Sequence, residues 1–516
     1  MTDLPFKTLG LVSPTGVPFT SVRLGKSTFQ ITTSVGRSLQ TYDLRRGLNL
    51  VFLSRPQTPD IITATYAWKD RVFAAWGGLR PGSPGGVWVF KRGKKIAALE
   101  EPPSGLVEPI EQLLVFGSWV VGCCGRSIQV WKSASYEHYT TLTPAKPKDC
   151  SGERILTGKM CNMPTYLNKI FVGKYDGSVD IWNLSSGKLL YTILPTSPNA
   201  GAVTALQPAP VLSLLAIAYR NGALSIHNVD TDQIVLSLRS ASHSSPPITS
   251  ITFRNDGLGA GDDGRKSGVM ATASIDSGDI TIWDLNNGGR VAGILRGAHD
   301  VSGNDGDSGI NRIEFLDGQP VIVSSGKDNA LRSWIFDETP FSPIPRPLHS
   351  RSGHAAAITT LEFLPSPSDG SESVGKWLLS ASKDRSLWAF SLRKDGQNTE
   401  LSQGNIRSKA KKAGGFRAGI DQSVRSEDLK APEITCIACS LNRDGGMGVT
   451  TSGPIWANSR GANTDASNAT GWESVLTGHR GDKYARTWFW GKKRAGRWTF
   501  ETGDATEVKV GGLGDP

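Results

Sequence analysis

A short pattern recurs nine times along this chain: a turn residue, alternating apolar positions, then an aromatic often followed by Asp or Asn. The clearest copies are DGSVDIWNL (176–184), SGDITIWDL (277–285) and DNALRSWIFD (328–337). Weaker ones are GRSLQTYDL (36–44), GRSIQVWK (125–132), NGALSIHNV (221–229), DRSLWAFS (384–391) and DKYARTWFW (482–490), with PGGVWVFK (84–91) degenerate. The aromatic, or an imidazole in its place, falls at Tyr42, Phe90, Trp131, Trp182, His227, Trp283, Trp334, Phe390 and Trp488. The first seven gaps run from 41 to 56 residues and the last is 98. Their usual size, about 50, is near the 40–45 of WD repeats with lengthened loops. The turn residue stands six before the aromatic at Gly36/Tyr42, Asp176/Trp182, Asp328/Trp334, Asp384/Phe390 and Asp482/Trp488.

Each copy reads as the hairpin joining the second and third strands of a propeller blade, with period-2 apolar residues pointing between blades. A second strand pair lies upstream, as in PITSITFRNDG (247–257) followed by GVMATASID (268–276). One such sheet cannot bury both faces, so neighbours stack and the ring closes. The predicted fold is all-β: a WD-repeat β-propeller of seven blades plus the opening blades of a second, incomplete propeller. Two partitions fit the nine copies: a first ring over residues 22–350, after an N-terminal segment 1–21, or one over 60–395. In the first partition, residues 351–516 lead into the second propeller. Gly/Ser/Asp-rich loops interrupt the strands at 257–267, 300–309 and 365–375, and the largest insertions lie at about 393–432 and at 457–471.

Composition supports a large folded core. Fifteen Trp and 17 Phe exclude a wholly disordered chain. The longest apolar run, residues 211–219, is too short for a membrane-spanning helix. Residues 1–10 lack the features of a signal peptide. The six cysteines, Cys123, Cys124, Cys150, Cys161, Cys436 and Cys439, are irregularly spaced, as reduced thiols of an intracellular protein would be. No membrane association is expected.

Chemistry-bearing motifs are sparse. Cys436-Ile-Ala-Cys439 lacks the second ligand pair of a zinc site and reads as a buried strand, as do Cys123 and Cys124. The histidines show no metal or catalytic spacing, and no nucleophile elbow or phosphate loop is present. His227 reads as a packed core residue. His354, in a Gly-His pair 30 residues before Asp384, has the spacing of the WD histidine that ties the turn Asp to a strand Ser. Gly478-His479 stands too close to Asp482 for that role. No catalytic residue, cofactor, metal or small-molecule substrate is expected.

One charge cluster stands out. GNIRSKAKKAGGFRAG (404–419) carries Arg407, Lys409, Lys411, Lys412 and Arg417 with no acid, and is a candidate arm for RNA phosphates or an acidic protein face. The net charge of +10 permits an acidic partner without demanding one. GKKRAGR (491–497), near Trp488, Trp490 and Trp498, mixes bases and aromatics, although core packing suits two of those aromatics better.

Several strings lie outside the shared repeat: MPTYLNKIFVGKYDGSVDIWNLSSGKLLYTI (163–193), AVTALQPAPVLSLLAIAYRNGALSIHNV (202–229), PPITSITFRNDG (246–257) and GKDNALRSWIFDE (326–338). With VRLGKSTFQITTSVGRSLQTYDL (22–44) and GNIRSKAKK (404–412), they resemble the nucleolar WD-repeat subunit of the UTP-B subcomplex of the small-subunit processome. The resemblance runs from about Val22 to Trp488. It implies a non-enzymatic tandem-propeller scaffold of ribosome biogenesis, located in the nucleolus of the nucleus. Its implied partners are other UTP-B subunits and processome proteins, and pre-rRNA with the U-three small nucleolar RNP. The family pattern continues into most of a second propeller and a helical domain beyond Pro516, which would make this chain a fragment or a shortened gene product. From the repeat alone, an adaptor for a ubiquitin ligase or a chromatin complex remains the alternative.

Overall fold

The computed structural model describes residues 9–501, apart from 15, 26, 81, 107, 212, 275 and 405 and the stretches 146–153, 239–245, 260–266, 301–308, 338–341, 365–376, 393–396, 407–428, 440–473 and 491–492. The chain divides into two compact units: Leu11–Ser352, and Gly353–Pro516 with Met1–Gly10. The described residues form nine four-stranded antiparallel sheets, each made of consecutive strands paired in chain order. No described helix is long and apolar enough to cross a membrane.

Seven sheets belong to the unit Leu11–Ser352: blade 1 (Thr20–Leu53), blade 2 (Ile62–Ala98), blade 3 (Gln112–Leu142), blade 4 (Leu156–Ile193), blade 5 (Val203–Leu238), blade 6 (Ile248–Leu295) and blade 7 (Ile310–Ser352). Two belong to the other: blade 8 (Ile358–Glu400) and blade 9 (Ile434–Glu501). Burial follows position in the blade. Second and third strands are covered on both faces and so are almost continuously buried, as in Val269–Ser274 and Leu387–Ser391. Fourth strands are outermost and face solvent, as in Lys188–Ile193.

The first strand of each blade is an edge strand, with backbone groups that nothing in its own sheet can satisfy. Polar side chains from neighbouring blades do so. Gln112 of blade 3 donates to the Met160 carbonyl and accepts from the Met160 amide of blade 4, at 2.9 and 2.8 Å. Ser250 and Thr252 of blade 6 accept from the Ile313 and Phe315 amides of blade 7 at 3.0 and 2.9 Å. A bulge in most first strands presents one further polar residue: Thr249 donates to the Ile310 carbonyl at 2.9 Å, and Thr359 of blade 8 to the Ile434 carbonyl of blade 9 at 2.7 Å.

Blade 7 meets blade 1 across one apolar cluster, in which Leu316, Val323 and Leu331 pack with Ile31, Tyr42 and Leu48. Arg23 bonds Asp317 at 2.8 Å, and Arg351 donates to the Leu48 carbonyl at 3.1 Å. The seven sheets therefore close on themselves by face packing, with no strand shared between first and last blades. Residues 11–19, which the sequence reading sets aside in an N-terminal segment, take part in this seam. Val12 and Phe19 are buried in it, and Asn329 Oδ1 accepts from the Val12 and Ser13 amides at 2.8 and 3.1 Å.

Candidate functional site

All nine repeat aromatics stand near the end of the third strand of their blades, seven in the closed ring and Phe390 and Trp488 in blades 8 and 9. In eight of the nine blades the pairing with the fourth strand shifts register immediately before the aromatic or within two residues of it. In blade 7 the aromatic anchors a four-residue chain. Trp334 Nε1 donates to Ser324 Oγ at 2.9 Å, Ser324 Oγ lies 2.8 Å from His299 Nε2, and His299 Nδ1 lies 2.8 Å from Asp328 Oδ1. Because a carboxylate only accepts, the Nδ1 of His299 is the donor to Asp328. Burial works against the charge of Asp328, but His299, Arg332 and the Asp300 amide outweigh it and hold the carboxyl below the usual range.

Blade 8 repeats the arrangement. His354 Nδ1 lies 3.2 Å from Asp384 and Nε2 lies 3.0 Å from Ser380 Oγ. Here Phe390 offers no N–H, and it packs edge-on against the imidazole at 6.0 Å. Asp384 is held down at about 2: burial opposes its charge, and the bonds from His354 and from the Ser386 hydroxyl and amide overcome that. His299 escapes the sequence reading because Ala298 replaces the glycine of the Gly-His pair; its spacing of 29 residues before Asp328 is the available signal.

The remaining blades depart one by one. His479 makes no hydrogen bond to Asp482, yet it reaches the same tie by another route. Its Nε2 lies 2.9 Å from Thr477 Oγ1, which accepts from Trp488 Nε1 at 2.7 Å. His227 is buried and bonds Asp232 at 2.9 Å. Asp176 caps its own turn by accepting from the Ser178 amide at 2.9 Å. Trp283 Nε1 donates to Thr272 at 2.9 Å, and Trp131 Nε1 to the Glu100 carbonyl at 2.8 Å. Trp182 Nε1 is buried with no partner. Tyr42 donates to Gln40.

Cys123, Cys124 and Cys161 are free and buried, and burial pushes their thiols up, Cys124 to about 12. Cys436 and Cys439 lie on the strand Ile434–Cys439 but are half-buried, Cys439 packing against the cluster that holds Ile434. Among the described residues no group of three His, Cys, Asp or Glu is placed to hold a metal. On the first strands of blades 2, 4 and 7, Arg312 lies within electrostatic reach of Tyr66 and of Lys159, and Glu314 within reach of Tyr66; burial and the nearby Arg312 lower the lysine's affinity for its proton.

Arg407, Lys409, Lys411, Lys412 and Arg417 lie outside the described residues. In the other basic segment, Trp488 is buried and Trp490 packs on Trp377 at 5.3 Å, whereas Trp498 is exposed. Basic residues that the sequence reading did not group stand at the turn between the third and fourth strands of blade 2.

A profile of the "WDR36/Utp21 first beta-propeller" matches residues 31–337, more than half of the chain. The chain belongs to the WDR36/Utp21 family. It is 33% identical over 511 residues to the Schizosaccharomyces pombe "U3 small nucleolar RNA-associated protein 21 homolog", covering 98% of this chain and 47% of that protein. The Saccharomyces cerevisiae "U3 small nucleolar RNA-associated protein 21" is 32% identical over 520 residues, with the same coverage. Human "WD repeat-containing protein 36" is 31% identical over 495 residues, covering 95% of this chain and 46% of that protein. The chain thus spans about half the length of the curated relatives it matches. Within the WDR36/Utp21 match lie blades 2 to 6 entire, with the Trp334 tie and most of blade 1.

Proposed function

We propose that this chain is a non-enzymatic scaffold of ribosome biogenesis. It works in the nucleolus, assembles with other UTP-B subunits on the early small-subunit pre-ribosome, and supports pre-rRNA processing. The observation that carries this reading is the match of nearly the whole chain to proteins named for association with U3 small nucleolar RNA. Pre-rRNA and the U-three small nucleolar RNP are the nucleic-acid partners, reached directly or through proteins.

The test is gentle purification of the tagged chain from cells, with its proteins and small RNAs identified together. Recovery of UTP-B subunits with U-three RNA is expected. Recovery of a cullin-type ligase or a chromatin complex in their place overturns the scaffold reading and makes the protein an adaptor. The segment 404–419 has its own experiment. Replacing Arg407, Lys409, Lys411 and Lys412 with Glu should leave the circular dichroism spectrum unchanged and weaken recovery of pre-ribosomes, and undiminished recovery removes that segment from the interface.

A further inference from the structure

Four of the five residues at 91–95 are basic, KRGKK, and they form the turn between the third and fourth strands of blade 2. Arg92 and Gly93 are both left-handed, at φ 48° and 77°, the geometry of a tight two-residue hairpin. A side chain at 93 would place its Cβ 2.8 Å from the Leu53 carbonyl oxygen, so glycine lets the turn press against blade 1. The main chain then fixes it there. The Arg55 amide donates to the Gly93 carbonyl at 2.7 Å, and the Lys95 amide to the Arg55 carbonyl at 3.0 Å. This brings the exposed Arg55 beside the exposed Arg92 and Lys94. The adjoining hairpin of blade 2 adds exposed Lys69 and half-buried Arg71. Asp70 is the one acid in this group, 2.6 Å from Lys91 and 3.8 Å from Arg71.

A tryptophan underlies a lysine on each face of the sheet, Trp68 on the face toward blade 3 and Trp88 on the face toward blade 1. Lys95 Nζ sits 3.4 Å over the Trp88 ring and Lys69 Nζ 4.2 Å over the Trp68 ring. We propose that this basic hairpin of blade 2 is an RNA-binding surface that engages the phosphate backbone of a single strand, with the half-buried Trp88 beneath Lys95 as a platform for a base. Lysine-rich surfaces suit phosphates, which a point charge engages from many directions. They suit protein interfaces poorly, since interface centres are depleted in lysine and enriched in apolar side chains. Ile96, about half exposed, is the large aliphatic that the adjoining strand offers. Stacking on indole faces adds affinity without demanding a base sequence. The proposal rests on the scaffold reading only for the source of the RNA.

The experiment uses the whole chain and a fluorescein-labelled oligouridylate of about 16 nucleotides, long enough for one such surface. Binding is followed by anisotropy between about 50 and 200 mM salt. The variant Arg55→Ala/Arg92→Ala/Lys94→Ala/Lys95→Ala should bind at least about tenfold more weakly at the low-salt end, and its salt slope should shrink by about 0.7 for each phosphate left without a cation. The charge-retaining variant Lys94→Arg/Lys95→Arg should bind as the parent does, which keeps the result readable if the quadruple variant folds poorly. Unchanged affinity and slope in a folded quadruple variant overturn the proposal. So does a quadruple variant that keeps its RNA affinity and loses an acidic protein in the cellular purification. Failure here with U-three RNA still recovered from cells leaves the scaffold reading standing, and its loss from the parent chain's purification marks the failure of that reading instead.

Discussion

Trp182 and Trp334 occupy equivalent positions in blades 4 and 7 and are equally buried, each 7% exposed, but only Trp334 has a hydrogen-bond partner. The pairing registers explain why. The acceptor stands opposite the residue two before the tryptophan: Ser324 opposite Arg332, Thr272 opposite Thr281, Thr477 opposite Arg486. In blade 4 that place, opposite Asp180, holds Val172. Replacing either tryptophan with phenylalanine costs about 1–2 kcal/mol in lost packing. Trp334→Phe also loses a hydrogen bond, about 1 kcal/mol more, whereas Trp182→Phe removes a desolvated, unpaired N–H and regains about 1–3 kcal/mol. The two substitutions should therefore differ by about 2 kcal/mol or more, with Trp182→Phe near neutral. At a urea slope of about 3 kcal/mol/M this is a midpoint difference of about 0.7 M, read by far-UV circular dichroism. A cross-check comes from Val172→Thr. A hydroxyl at a fully buried valine ordinarily costs about 1–3 kcal/mol, but here it can accept from Trp182 Nε1 and should leave stability within about 0.5 kcal/mol of the parent. In Trp182→Phe the same Val172→Thr change should cost its full amount, a coupling of about 1 kcal/mol or more. Equal destabilisation by the two Trp→Phe changes, or additivity of Val172→Thr with Trp182→Phe, would refute the register argument.

The acid side of the stability profile should report Asp384. Its carboxyl is held at about 2 against an ordinary 3.8, so its contribution is fully present above pH 4 and is lost as pH falls toward 2. The shift corresponds to about 2 kcal/mol. Asp384→Asn should lower the urea midpoint at pH 6 and flatten the fall between pH 4 and about 2, and curves that stay parallel through that window count against the tie. For the thiols, Cys123, Cys124 and Cys161 should resist Ellman's reagent at pH 8 in the folded chain and react in urea. Mass mapping of a fast-labelled Cys123, Cys124 or Cys161 would contradict their enclosure.

What could be read from the residues depended on how local the signal was. The third-strand aromatics and their turns sit within one hairpin, six residues apart, so spacing alone exposed Tyr42 through Trp488 and with them the blades. The ties are distant and chemically redundant, and there pattern reading falters. A serine in blade 7 and a threonine in blades 6 and 9 take the same N–H, and His479 reaches its threonine from within its own strand. A Gly-His pair is a proxy for one of these solutions, which is why it finds His354 and misses His299. The run KRGKK went ungrouped in the sequence reading, and only the packing of Gly93 against blade 1 shows that Arg55, far off in a connecting loop, joins it.

The same redundancy bears on how the ring holds. Each blade buries its middle strands on both faces, so apolar stacking supplies most of the stabilisation, and a tie of about 1–3 kcal/mol adds to it locally. Blade 4 lacks an acceptor for Trp182 yet keeps the same four strands and the same shift before the aromatic. The ties therefore act on the angle of individual turns more than on whether a blade forms. The 92–93 turn of blade 2 joins the third and fourth strands, beyond the reach of such ties, and is fixed instead by the backbone bonds from Arg55 and Lys95. A surface meant to carry like charges side by side needs that kind of anchorage, because backbone bonds hold the turn in place whatever its side chains repel.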